Sequence, residues 1–212
     1  MFGKAIKLGV LAMAGVALVA APVAAQETGN NAGNKTGNKA ERAAKGARVS
    51  GSAQIKLTFS PDQDVRAFTF DVTGVPYSEP KQGAPQGLPT DARGTVQISH
   101  HSPQEGWTVT SKAKVDCLAT SPGNATFTAV VYEADEPIKD WIGKRLGFSV
   151  QDGRHGEPDR MGFSWAVVNG VQNDKGEWEE GKVGTCMGPA AFAPVTKGGY
   201  QVRHADLLPP PK

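Results

Sequence analysis

The sequence predicts an all-β chain: a single antiparallel β-sandwich or barrel-like domain of about eight or nine short strands. Three observations predict it. From Ser52 to His204, short runs of alternating apolar and polar residues recur, and a period of two marks a strand with one buried face. Clusters of Gly, Pro, Asn and Asp punctuate the runs, as turns require. Only Glu133 to Lys144 has room for a helical turn, through Pro137, Ile138, Trp141 and Ile142 before Gly143.

The N-terminus carries an address rather than fold. Lys4 and Lys7 precede an uncharged run from Leu8 to Ala21, and Pro22-Val23-Ala24-Ala25 places small residues ahead of Gln26. This is the pattern of a secretory signal peptide over residues 1–25. The run is shorter than the roughly 20 residues a bilayer needs, so no membrane span is expected. The leader holds two of the 23 basic residues, which leaves 21 against 21 acidic ones. A neutral body gives no electrostatic footprint for nucleic acid. Residues 26–50 are a low-complexity Lys-Gly-Asn tail, predicted to be disordered because its composition cannot bury a core. Its surplus of positive charge fits a spacer or a tether to anionic polymer.

The domain is assigned to residues 51–205. Ala53, Ile55, Leu57 and Phe59 alternate, Ser60 to Asp64 turns, and Phe68, Phe70 and Val72 complete a first hairpin. Pro76, Pro80, Pro85 and Pro89 exclude helix or central strand over 76–93. A mobile surface loop is expected there, rimming whatever the domain binds. Val96 and Ile98 face inward on the next strand. Trp107, Val109, Ala113, Val115 and Cys117 share a face on the one after, so Cys117 should point into the core. Phe127, Ala129 and Val131 follow. Leu146, Phe148 and Val150 then pair across a polar turn with Phe163, Trp165 and Val167, the heaviest apolar load in the chain. Gly199 to His204 reads as the closing strand, and residues 206–212 as an extended C-terminus.

Two cysteines in an exported chain predict a disulfide, Cys117–Cys186. The polar turn from Gln151 to Arg160 supplies the one candidate metal site, with Asp152, Glu157 and Asp159 as tentative calcium ligands. The same residues are ordinary turn formers, and Arg154 and Arg160 could neutralise them, so a structural turn is the favoured reading and no cofactor the default. His100 and His101 point to opposite faces of a strand, so they cannot share one metal; His155 or His204 would have to converge on one of them. No G-x-S-x-G is present, and no catalytic residue is assigned. A carboxylate pair for glycoside hydrolysis is defined by separation in space, with Trp107, Trp141 and Trp178 as candidate sugar platforms.

Several stretches carry a resemblance in order along the chain: Asp64 to Val72, Ala92 to His101, Lys114 to Thr120, Ile142 to Gly153, Asp159 to Val167, and then Cys186. Together they resemble small secreted actinobacterial proteins of the repetin-like type, over roughly Ser52 to His204. The Pro76–Pro89 segment and the N-terminal tail depart from that pattern. The resemblance implies a secreted β domain and supplies no catalytic residues. The expectation is a non-enzymatic, monomeric binding or structural module, secreted or associated with the cell wall, facing an extracellular or cell-wall ligand. A calcium-stabilised module and a hydrolase of envelope polymers are the alternatives.

Overall fold

Eight antiparallel strands close into an up-and-down barrel in a computed structural model that describes residues 46–153 and 156–212. The strands are β1 (Arg48–Ile55), β2 (Val65–Gly74), β3 (Ala92–Ser102), β4 (Trp107–Ser121), β5 (Asn124–Ala134), β6 (Arg145–Gln151), β7 (Arg160–Phe163) and β10 (Ala193–Arg203). Each pairs with its neighbour in sequence, and β10 follows β7 and returns to pair with β1, with Arg48 opposite Arg203. Closure leaves no strand of this sheet unpaired on either side, although β7 and β10 meet over two residue pairs only. A short 3₁₀ helix, Glu136–Trp141, links β5 to β6 where the helical turn was expected. The hairpin β8 (Gly170–Gln172) and β9 (Trp178–Glu180) stands apart as a two-stranded sheet. The leader at residues 1–25, residues 26–45, Arg154 and His155 lie outside the described residues.

Period-two alternation decides which side chains fill the barrel. Phe68, Phe70 and Val72 from β2, Val96 from β3, Phe127, Ala129 and Val131 from β5, and Phe148 and Val150 from β6 are all buried. The rings interlock: Phe70 meets Phe127 edge-on at 4.9 Å, and Phe127 stacks on Phe148 at 5.3 Å. Full burial of one such ring contributes about 2–3 kcal/mol.

Four boundaries differ from the sequence pattern, and one is the closing strand, which begins at Ala193 rather than Gly199. β1 begins at Arg48, because Val49 is fully buried opposite Val72 and Val202, although its polar flank reads like the preceding tail. β7 stops at Phe163: the Ser164 amide donates to the Gly147 carbonyl, and the chain turns at Trp165, leaving Val167 73% exposed. Phe59 likewise lies beyond the end of β1 and is exposed.

A further correction concerns Cys117. The ladder between β4 and β5 slips between Val115 and Cys117, so that Val115 opposes Ala129 while Cys117 opposes Thr128. An extra residue in one strand reverses which face the following side chains occupy. Leu118 therefore enters the core beside Phe127, and Cys117 sits on the outer face with Thr128. Both are nevertheless buried, because the segment Gly184–Phe192 lies over them like a strap.

The strap is held in several ways. Cys117 and Cys186 form the predicted disulfide, with Cα atoms 5.3 Å apart. Thr128 Oγ1 accepts from the Cys186 amide at 3.2 Å, and Thr126 Oγ1 donates to the Cys186 carbonyl at 2.9 Å. Arg160 donates to the carbonyls of Ala191 and Phe192 at 3.0 and 2.6 Å, so it is not the neutralising partner of its own turn. A Cβ at Gly147 or Gly162 would land on the carbonyl oxygen of Met187 or Ala190. Glycine at these two sites is what lets the strap approach the sheet.

Candidate functional site

The two ends of the barrel are unlike. One carries the β2–β3 loop, the β4–β5 turn and the β6–β7 turn; the other carries the links β1–β2, β3–β4 and β5–β6. The first end is plugged and the second opens into a cavity.

The Pro-rich loop belongs to the plugged end and does not rim the cavity. It is organised by Asp91, whose side chain is almost fully buried. Its Oδ2 accepts from the amides of Leu88 at 2.9 Å and Glu79 at 3.0 Å, while Lys81 Nζ pairs with Oδ1. Burial pushes this carboxyl's pKa up; the Lys81 ammonium and the two amides more than offset that and hold it below the ordinary 3.8. The extended C-terminus reaches this loop, where Tyr77 Oη donates to the Leu208 carbonyl at 2.8 Å.

The tentative calcium turn is also at the plugged end. Asp159 Oδ1 accepts from the Gly153 amide at 2.8 Å, and Oδ2 accepts from the Tyr200 amide at 2.6 Å. Asp152 Oδ2 accepts from the Val202 amide at 3.0 Å. β7 pairs with only Ala193 and Pro194 of the eleven-residue β10. Farther along β10, the two aspartates take the place of the missing strand by receiving its amides. Glu157 is exposed. Among the described residues, no group of three or more His, Cys, Asp or Glu is placed to hold a metal ion. Asp152 and Asp159 thus come together as seam-closing acceptors.

The open end holds a cavity of about 830 Å³. Its walls come from β2, β3, β4, β6 and β7, with the 3₁₀ helix and Trp165 to Ala166 at the rim. Phe68, Ile98, Leu146, Phe148, Phe163 and Trp141 make it mostly apolar. Three inward positions near the mouth are polar: Arg66, in phase with Phe68 and Phe70; His100, in phase with Val96 and Ile98; and Ser111, in phase with Val109 and Ala113. In the sequence they stand as polar breaks in otherwise apolar phases.

Arg66 is 7% exposed, yet its charge is matched. Its two terminal nitrogens donate to the two oxygens of Asp62 at 3.1 Å each, and Asp64 lies 3.8 Å away. The Arg66 guanidinium, with help from Ser60 and the Asp64 amide, holds the Asp62 carboxyl far below the usual carboxylate range. His100 Nε2 bonds Asp64 Oδ2 at 2.7 Å and its ring meets Trp107 edge-on at 5.0 Å. His101 faces the other side and bonds Thr108 and the Trp107 carbonyl, as the alternation requires. His204 is at the plugged end with Thr120 and Asp206.

Among the described residues, His100 makes no hydrogen bond to a serine, threonine or cysteine side chain. Ser111, opposite Ile98 on the next strand, makes no hydrogen bond through its hydroxyl. Trp165 Nε1 is the second buried polar atom among the described residues with no partner in the protein. Both residues line the cavity. Trp107 and Trp141 line it too, whereas Trp178 lies over Gly170 in the separate hairpin.

Comparison with family models, with curated proteins and with solved structures gave no match to this chain.

Proposed function

We propose that this chain is an exported binding protein that carries a small apolar molecule inside its barrel. The observation that carries this reading is the cavity of about 830 Å³ walled by aromatic and aliphatic side chains. An eight-stranded barrel is just wide enough either to be filled by its own side chains or to hold one small ligand. Here the plugged half is filled and the open half is not. The volume lies within the roughly 300–1,000 Å³ of small-molecule sites, which are mostly apolar with a few fixed polar groups.

Export is supported by the leader pattern of residues 1–25 and by the Cys117–Cys186 bridge, since disulfides persist in oxidising compartments. No described helix is long and apolar enough to cross a membrane.

The test is titration of the oxidised protein with the uncharged fluorophore N-phenyl-1-naphthylamine. Saturable one-site binding with a blue-shifted emission is expected, weakened by Val109→Trp, which fills the cavity from β4. Emission that rises linearly without saturation, or that ignores Val109→Trp in a variant with an unchanged melt, would overturn the reading.

A further inference from the structure

The cavity's polar groups define the head of its ligand. We propose that the ligand is an uncharged amphiphile with a hydrogen-bond acceptor, such as a carbonyl or ether oxygen, received by the Trp165 indole and the Ser111 hydroxyl against the apolar wall. This rests on the binding-protein reading and narrows it to a chemical class.

The first argument is the orphaned donor. Buried polar atoms are almost always hydrogen-bonded, and an unmade bond there carries the full desolvation cost. Trp165 Nε1 and Ser111 Oγ are both buried and both lack a partner in the protein. Ser111 is only 3% exposed, and its strand phase aims it inward with Val109 and Ala113. An indole N–H can only donate, so its missing partner must be an acceptor. A ligand head made of donors alone, such as an ammonium, would leave it unmatched.

The second argument is charge. Arg66 is the only lysine or arginine among the described lining residues. Its guanidinium faces two carboxylates, Asp62 and Asp64, with Asp62 bound through both oxygens. Whichever state His100 adopts, this cluster carries no net positive charge. Asp135 and Glu180 add two more acids to the lining. A carboxylate head entering this site would meet a matched cation and surplus negative charge while losing its water. Burying a charge without a partner is strongly unfavourable. The wall therefore disfavours a fatty-acid anion of the same length as a ligand it accepts.

The third argument is layout. Arg66 and His100 are direct cross-strand partners, and Ser111 lies opposite Ile98, one inward step deeper on β4. The polar positions form a strip from the mouth inward, and Phe68, Phe148, Phe163 and Leu146 continue the apolar wall. Such a cavity orients a ligand with its apolar body against the rings and its single polar atom against the strip.

The experiment is competition against N-phenyl-1-naphthylamine with four compounds of equal chain length: a methyl ketone, the alkane, the carboxylate and the alkylammonium. The ketone is expected to bind tightest. Trp165→Phe should weaken the ketone about three- to tenfold, the worth of one hydrogen bond, and leave the alkane unchanged. Ser111→Ala, which removes one oxygen from the wall, is the second variant and should also act on the ketone alone. Tightest binding by the carboxylate or the ammonium would overturn the proposal, as would an equal loss for ketone and alkane in both variants. Binding of the alkane without preference for the ketone sinks this inference while keeping the carrier reading; no displacement by any compound, and no binding of the fluorophore, sinks both.

Discussion

Asp159 receives two backbone amides, one from Gly153 in its own turn and one from Tyr200 on β10. Asp152 receives one, from Val202. Hydrogen bonds to a charged group contribute about 1.5–3 kcal/mol each, and losing the acceptor strands the amide. Asp159→Ala is therefore expected to cost about 3 kcal/mol and Asp152→Ala about half of that, read from urea midpoints at unchanged slope. Because those oxygens are engaged by amides, calcium or EDTA should leave the midpoint of the wild-type protein where it is. A rise with calcium that Asp152→Ala abolishes would instead restore the metal reading, since a ligand of the folded state must stabilise it. The sequence could show three acids in one polar turn; it could not show that β7 is four residues long and that β10 would need acceptors from elsewhere.

The Pro-rich loop teaches the same lesson for a whole element. Four prolines and two glycines excluded helix and strand, yet they did not make the segment loose: one buried carboxylate, Asp91, gathers the amides of Leu88 and Glu79 and the Lys81 ammonium. With its pKa held below 3.8 in the folded state, Asp91 contributes stability that is present above the unfolded value and is lost as pH falls through the lowered one. Acid unfolding followed by tryptophan fluorescence should show this loss below about pH 4. Asp91→Asn should be less stable at pH 7 and show a shallower acid dependence; an identical acid profile would remove Asp91 from the account. Strands were the legible elements, because alternation survives wherever a ladder is regular. β2 from Phe68 to Val72, β3 from Val96 to Ile98 and β5 from Ala125 to Val131 keep their apolar phase. The slip at Val115–Cys117 was invisible, since nothing in V-D-C-L says which residue is extra, and the cavity was invisible because it depends on how eight inward faces meet.

At the scale of the molecule, the disulfide staples the strap to the outside of the barrel rather than the core to itself. It closes a separation of 69 residues, for which the chain-entropy model gives about 4 kcal/mol. Replacing both Cys117 and Cys186 by Ala should lower the unfolding free energy by about that amount while leaving the β-sheet circular dichroism of the folded state intact. Loss of the barrel signal at neutral pH would show that the strap is needed to close the seam beside β7. The pairing of β1 with β10 has a practical corollary. Arg48 and Arg203 sit side by side, at the plugged end. Whatever holds this protein at the start of β1 or the end of β10, whether a surface, a bound partner or a resin, would grip it from behind and leave the mouth turned toward the solvent.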